Sequence, residues 1–61
     1  MNNCNLLTIT SASELLIVKE SWLRSQIFYK LIPYYKLGNH IRFDKDEILK
    51  WISTKRVGKN L

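Results

Sequence analysis

Residues 32–52 read IPYYKLGNHIRFDKDEILKWI, and this stretch decides the fold. Pro33 lacks an amide hydrogen and pushes the residue before it toward extended backbone, so any preceding helix must end here. Two short apolar runs then flank a turn that contains Gly38 and Asn39, residues that tolerate the positive φ angles of tight loops. The pattern predicts a β-hairpin followed by a helix.

The register of this hairpin decides which side chains share a face. A loop made only of residues 38–39 would place apolar residues opposite polar ones on both faces. A longer loop, residues 38–40, would collect the apolar side chains on one face. Strand register follows the pairing that buries the hydrophobic set, so we predict the longer loop. The predicted cross-strand pairs are Leu37 with Ile41, Lys36 with Arg42, and Tyr35 with Phe43.

The polar face of the predicted hairpin is basic. In the predicted register Lys36 and Arg42 are direct neighbours, a pairing of like charges that is mildly destabilising unless an anion lies against it. Either a phosphate backbone satisfies this pair, or both cations are solvated and screened by salt. The loop tip, with Asn39 and His40, is small or planar enough to enter a groove, although both residues also suit a plain turn.

The segment before the hairpin begins with a predicted edge strand over residues 6–9. A first helix is predicted over about residues 11–16, capped either by Thr10 or by Ser11, which has the capping-box spacing to Glu14. Apolar residues recur at helical spacing and predict one buried stripe, formed by Ala12, Leu15 and Leu16.

A second helix is predicted from Glu20 to about Lys30, with Leu23 and Ile27 turned toward the core. Rotation by about 100° per residue places a different set of side chains on the opposite face. Ordinary solvated faces are richer in Glu and Lys, so this outward face is either a recognition surface or plain surface. Its members are Ser21, Arg24, Ser25 and Phe28.

A third helix follows the hairpin, with Asp44 and Glu47 as a predicted capping pair. Its predicted buried stripe is Ile48, Trp51 and Ile52, with Trp51 as a core anchor. Residues 53–61 carry cations and no acid, which predicts a basic tail. The predicted organisation is an N-terminal arm, one domain and this tail, over residues 1–5, 6–52 and 53–61.

Composition limits the classes of partner. With 46% apolar residues, the 61-residue chain is too hydrophobic for a disordered segment and predicts one small folded domain. Ten Lys and Arg against five Asp and Glu give a net charge of +5, which favours an anionic partner such as nucleic acid. The longest apolar run, residues 15–18, is far shorter than a membrane helix, and no signal peptide is recognisable.

Side chains that carry chemistry are scarce. Cys4 is the only cysteine, which excludes an internal disulfide and a multi-cysteine zinc site, suits a reducing cytosol, and predicts an inert thiol. One histidine, no phosphate-binding glycine loop and acids grouped at a helix start predict no catalysis, no metal and no cofactor. A protein-interaction module stays open, since aromatics beside arginine are typical of interfaces. Its docking surface would comprise Trp22, Phe28 and Tyr29.

Three consecutive parts of the chain carry a resemblance: residues 6–18, LLTITSASELLIV, the short helix after them, and residues 32–52. Together they resemble the small winged helix-turn-helix proteins of the excisionase family, which are related to the DNA-binding domains of MerR-type regulators. The most specific parts are Leu-Thr-Ile, Ala-x-Glu-Leu-Leu, Ile-Pro, Lys-x-Gly and Arg-Phe. The chain departs from the family pattern in three places. Ile17 and Lys19 stand where the family often has a turn glycine and a capping serine, and Lys30 stands where it often has glycine before the wing.

This resemblance implies an α+β fold, a small winged helix-turn-helix with two short helices, a β-hairpin wing and a C-terminal helix. It also implies that the second helix enters the major groove of DNA and that the hairpin follows the backbone or minor groove. The residues implied to contact DNA are Lys19, Ser21, Arg24, Ser25 and Phe28 on the helix, and Lys36, Asn39, His40 and Arg42 on the wing.

For the role, the resemblance implies a non-enzymatic factor that binds and bends double-stranded DNA at a prophage or mobile-element end and helps an integrase to excise it. The alternative is a small transcriptional regulator that occludes a promoter. The expected partners are double-stranded DNA, a cognate integrase and further copies on adjacent sites, in the bacterial cytoplasm and without a membrane.

Overall fold

The computed structural model describes residues 5–58. In chain order the elements are β1 (Leu6–Leu7), α1 (Ile9–Leu16), α2 (Glu20–Phe28), β2 (Tyr35–Leu37), β3 (His40–Asp44) and α3 (Lys45–Ser53). The strands form an antiparallel sheet in the order β1-β3-β2. The predicted α+β winged helix-turn-helix is confirmed. The prediction for Cys4, most of the N-terminal arm and the last residues of the tail lie outside the described residues.

One buried residue from each helix, together with one from β3 and one from the α2–β2 loop, forms the core. These residues are Ala12, Leu23, Ile32, Phe43 and Ile48. Ile27, Trp51 and Ile52 are half-buried and pack against this cluster, so the stripes predicted for α2 and α3 are confirmed. The stripe predicted for α1 is wrong at Leu15, which is 38% exposed. The buried side of α1 is formed by Ile9, Ala12, Ser13 and Leu16, and Leu15 lies about 100° round the helix from its centre.

The hairpin register differs from the prediction. Residues 38–39 alone form the loop, and the cross-strand pairs are Tyr35 with Arg42, Lys36 with Ile41, and Leu37 with His40. Gly38 has a φ of 63°, whereas Asn39 is not among the positive-φ residues. That combination suits a two-residue type II′ turn, whose twist matches the flanking strands. Turn geometry therefore outweighs the gain from collecting every apolar side chain on one face.

The observed register separates the two wing cations. Because successive side chains of a strand point to opposite faces, Lys36 lies on the face of Ile41 and Arg42 on the face of Tyr35. The predicted direct Lys36–Arg42 pair is wrong. On the other side of β3, Leu7 pairs with Phe43 and Leu6 with Asp44. The sheet thus has an inner face toward the helices and an outer face with apolar residues of its own.

The helix starts also differ from the prediction. Helix α1 begins at Ile9, and the hydroxyl of Thr8 accepts a hydrogen bond of 3.0 Å from the backbone amide of Ser11. The predicted cap at Thr10 or Ser11 is wrong because Thr8 satisfies this amide one turn earlier, and β1 ends at Leu7 for the same reason. Asp44 is the N-cap residue of α3, as predicted, but its side chain makes no capping hydrogen bond.

Helices α1 and α2 end in the same way. After α1, the amide of Ile17 donates to the carbonyl of Glu14 and the amide of Val18 donates to that of Ser13. After α2, the amides of Lys30 and Leu31 make the equivalent bonds, to Ile27 and Gln26. Both sets are Schellman motifs, which need a left-handed residue at their centre.

Those central residues are Ile17, with a φ of 56°, and Lys30, with a φ of 57°. They stand at two of the places where the chain departs from the family pattern by lacking glycine. Left-handed backbone is costly for residues with a Cβ and unusual for a β-branched one. Both turns therefore carry backbone strain. Because Lys30 is the left-handed residue that follows α2, the helix ends at Phe28 rather than at the predicted Lys30.

Candidate nucleic-acid interface

The outward side of α2 carries one continuous row of exposed side chains, here called the recognition row. Leu23 and Ile27 face the core, which fixes the opposite side of the helix toward solvent. The row comprises Ser21, Arg24, Ser25 and Phe28, all of them exposed. The predicted placement of these side chains is therefore confirmed, although their contact with DNA is not tested by it.

The guanidinium of Arg24 forms an exposed ion pair with Glu20. Its Nη2 atom lies 3.9 Å from Oε1 of Glu20, one helical turn earlier, and the arginine side chain is 66% exposed. The other carboxylate oxygen of Glu20 accepts a 2.9 Å hydrogen bond from the hydroxyl of Thr10 on α1. An exposed pair at this spacing contributes only about 0.3–0.5 kcal/mol, less than the roughly 1–3 kcal/mol of a bidentate arginine–guanine contact. Arg24 can therefore exchange its partner for a base.

The remaining polar residues of α2 have simpler surroundings. The hydroxyl of Ser25 donates to the backbone carbonyl of Ser21 at 3.2 Å, which leaves its lone pairs free to accept from a base amino group. Lys19 is the exposed N-cap residue of α2 and makes no side-chain capping hydrogen bond. As the N-cap residue, Lys19 adds a positive charge at the helix end where the dipole is also positive, so both favour an anion there.

The wing presents cations on both of its faces. Lys36 is exposed on the inner face, opposite Ile41, and the tip residues Asn39 and His40 are exposed as well. Arg42 is half-buried on the outer face, where its Nη1 atom donates a 2.7 Å hydrogen bond to the carbonyl of Ile41. The wing residues predicted from the sequence therefore lie on one projecting hairpin, but the two cations do not form one patch.

The aromatic residues of α2 divide into two groups. The Trp22 ring lies 6.3 Å from that of Trp51, and the ammonium of Lys55 lies 5.0 Å from the centre of the Trp51 ring. Trp22 thus packs against Trp51 and helps to position α3. Phe28 and Tyr29 instead form an edge-to-face pair at 5.1 Å, exposed at the end of the helix. Trp22 therefore packs beside α3 while Phe28 and Tyr29 pack on each other, and a docking surface formed by all three stays a prediction.

A surface that the sequence reasoning missed lies on the outer face of the sheet. A shallow groove of about 230 Å³, here called the outer sheet groove, is lined by Leu6, Tyr35, Leu37 and Asp44. Beside it, the Tyr35 hydroxyl donates a 3.2 Å hydrogen bond to Oε2 of Glu47. The negative charge of Glu47 and this hydrogen bond raise the pKa of Tyr35. The register predicted from the sequence turned Tyr35 and Leu37 toward the core, so it gave no signal of this groove.

Neither a metal centre nor a membrane span is found within residues 5–58. In this range no three or more His, Cys, Asp or Glu side chains are grouped so that they could hold a metal ion. No helix in the same range has the length and hydrophobicity needed to cross a bilayer.

The comparisons with known proteins agree with the fold. A family model described as a helix-turn-helix domain matches residues 6–56, which include every described helix and strand. No curated protein matches the chain. The family comprises small, excisionase-like DNA-binding proteins, and its helix-turn-helix supports sequence-specific binding to double-stranded DNA. With its helix-turn-helix, its hairpin wing and a match over most of its length, the chain belongs to this helix-turn-helix family.

Proposed function

We propose that α2 is the recognition helix and that its recognition row enters the major groove. The observation that carries this proposal is the row itself, in which Ser21, Arg24, Ser25 and Phe28 have no role in the core and face solvent together. Hydroxyls and a guanidinium are the groups that read base edges, and Arg24 is the candidate for paired hydrogen bonds to guanine. Lys19 at the helix start holds a flanking phosphate.

The wing supplies affinity that does not depend on sequence. Lys36 and Arg42 lie on opposite faces of the hairpin, so a wing inserted in the minor groove meets a phosphate strand on each side. The tip residues Asn39 and His40 reach the groove floor and respond to its width. In the predicted register, Lys36 and Arg42 were neighbours that would share one phosphate. In the observed register each cation would contact a phosphate of its own.

For the biological role we propose an excisionase, a factor that binds and bends DNA at a mobile-element or prophage end and assists an integrase. The chain is too small for one copy to cover much DNA, since a single module of this kind buries roughly 600–1,000 Å² of protein surface. Several copies on adjacent sites, each with a basic wing, favour a bent path. Strand cleavage then belongs to the integrase, and this protein acts in the cytoplasm without catalysis or a cofactor of its own.

The second candidate is a small transcriptional regulator that occludes a promoter. The same recognition helix and wing serve this role, because blocking a promoter needs only occupancy of the DNA. A reaction with purified protein, the cognate integrase and a plasmid that carries both element ends separates the two roles. Excision that depends on this protein supports the excisionase. Excision that proceeds equally without it, while a nearby promoter is repressed by it, supports the regulator.

The wing is tested by the salt dependence of DNA affinity. Each phosphate contact contributes a slope of about 0.9 to the logarithm of affinity against that of salt. Lys36→Ala and Arg42→Ala should each lower the slope by about one on specific and random duplexes alike. The matched control is Lys50→Ala, which removes an exposed cation from α3, outside the proposed contact surface, and should leave the slope unchanged. Unchanged slopes for both wing variants would remove the wing from the interface.

A further inference from the structure

An exposed aromatic pair ends the recognition row. Phe28 is 77% exposed, a large apolar surface to leave in water on so small a domain. Its ring is supported edge-to-face by Tyr29, with the two rings nearly perpendicular at 86°. This geometry is a favourable one for aromatic pairs, so the contact with Tyr29 biases the Phe28 ring toward one orientation.

The position of Phe28 relative to Arg24 fixes what it can reach. The two residues are four apart, so their side chains lie on the same side of α2, separated by a rise of about 6 Å. Base pairs of DNA stack about 3.4 Å apart. A helix lying along the groove therefore places Phe28 about two base pairs from the pair that Arg24 contacts.

The chemistry of the ring narrows the target further. A phenyl ring neither donates nor accepts a conventional hydrogen bond, so it cannot read the amino, carbonyl and ring-nitrogen groups of base edges. Phosphates are equally unsuited to it. The apolar group that the major groove offers is the 5-methyl of thymine, which apolar side chains contact.

We propose that Phe28, held by Tyr29, recognises the 5-methyl group of a thymine about two base pairs from the guanine contacted by Arg24. This inference rests on the proposed function, since it requires the recognition row to face the major groove. The competing use of these rings is a contact with another protein. The place of Phe28 in one row with Arg24 and Ser25 favours DNA, because a separate docking surface would not need that alignment.

The test begins with selection of a binding site from a random duplex library. In the selected site each thymine is then replaced singly by deoxyuridine, which lacks only the 5-methyl group. One replacement, about two base pairs from the essential guanine, should weaken binding roughly fourfold, the effect of one buried methyl group. Replacements elsewhere should have little effect.

Variants connect this effect to the aromatic pair. Phe28→Ala should weaken binding to the thymine duplex and abolish the difference between thymine and deoxyuridine at that position. Tyr29→Ala should reduce the difference without abolishing it. The matched control is Leu31→Ala, which removes a neighbouring apolar side chain that is 56% exposed but lies beyond the helix. It should keep the full difference.

The possible failures are distinguishable. If no site is enriched in the selection, the proposed function fails and this inference fails with it. If a site is enriched but has no thymine at that spacing, or binds deoxyuridine equally well, only the inference is overturned. Unchanged discrimination in Phe28→Ala likewise overturns it and would leave the aromatic pair to a protein contact.

Discussion

The recognition row on α2 and the outer sheet groove both face away from the same core, yet their chemistry is opposite. The row offers hydroxyls, a guanidinium and the exposed ring of Phe28, whereas the groove is mostly apolar, with Asp44 in its lining and Glu47 beside it. Asp44 and Glu47 would repel phosphates, so DNA is not expected over the acidic end of the groove, whereas Arg42, on the same face of the wing, carries the charge that suits a phosphate. A net charge of +5 thus conceals an uneven distribution, and in the proposed complex this unevenness, rather than the total, would orient the protein on DNA.

The two surfaces depend on one packing centre, and Phe43 lies in it with no exposed surface. Phe43→Ala should destabilise the fold by about 3–5 kcal/mol, enough to unfold so small a domain, because it leaves a cavity between sheet and helices. Chemical denaturation measures this loss. Leu37→Ala, on the outer face of the same hairpin, is the control and should cost only about 0.5 kcal/mol. Equal losses would mean that the two faces of the hairpin have been assigned wrongly.

Within the recognition row, Arg24 is the residue proposed to contact a base, whereas the wing cations are proposed to contact phosphates. Arg24→Ala should weaken the selected DNA site by about 1–3 kcal/mol and relax its sequence preference, because a bidentate base contact is lost. Competition binding measures affinity for the selected and random duplexes side by side. Lys50→Ala serves again as a control and should change neither. If Arg24→Ala weakened both duplexes equally, its role would be that of a phosphate contact.

The strained turn between α1 and α2 orients the recognition row, and it can be relaxed by one substitution. Ile17 is 89% exposed and has left-handed backbone, so Ile17→Gly should stabilise the fold by about 1 kcal/mol. Thermal unfolding measures the gain. Ile17→Ala is the control, since it shortens the side chain but keeps the Cβ that causes the strain. A gain of equal size in the alanine variant would assign the cost to the exposed side chain instead.

The acidic side of the outer sheet groove is tested by the titration of Tyr35. The charge of Glu47 comes first in raising the pKa of this phenol above 10, followed by the hydrogen bond to the same carboxylate. The pKa of Tyr35 is higher in the folded state than in the unfolded state. The contribution of the protonated phenol to folding stability is therefore complete below pH 10 and is lost as the pH rises through the folded-state pKa. Absorbance titration of the protein and of its Tyr35→Phe variant isolates this residue.

Glu47→Gln is the matched change, and it should move the Tyr35 midpoint back toward 10. Of the effects predicted here it is the smallest, since the phenol is exposed to solvent. An unchanged midpoint in Glu47→Gln would mean that the acidic side exerts no field on the groove.

Local sequence rules predicted most of the elements. Periodicity placed Leu23 and Ile48 in the core, and the same rotation argument placed Arg24 and Phe28 outside. Those assignments needed only the helical repeat. The helix boundaries were less predictable, because more than one hydroxyl near residues 8–11 could cap α1, and the choice of Thr8 depends on where β1 leaves the sheet.

The sequence by itself determined the order of helices, the hairpin, the net charge and the outward face of α2, since each follows from local spacing or composition. Only the tertiary structure decided the hairpin register. The preferred geometry of the two-residue turn at Gly38 opposed the burial of all apolar side chains on one face. Strand β1 favours the observed register, because Leu6 lies beside Tyr35 and Leu37 on the outer face and reduces their exposure to water. Pairing between β1 and β3, whose residues are more than 30 positions apart, is invisible to local pattern, and the hairpin register observed beside it puts Lys36 and Arg42 on opposite sides of the wing.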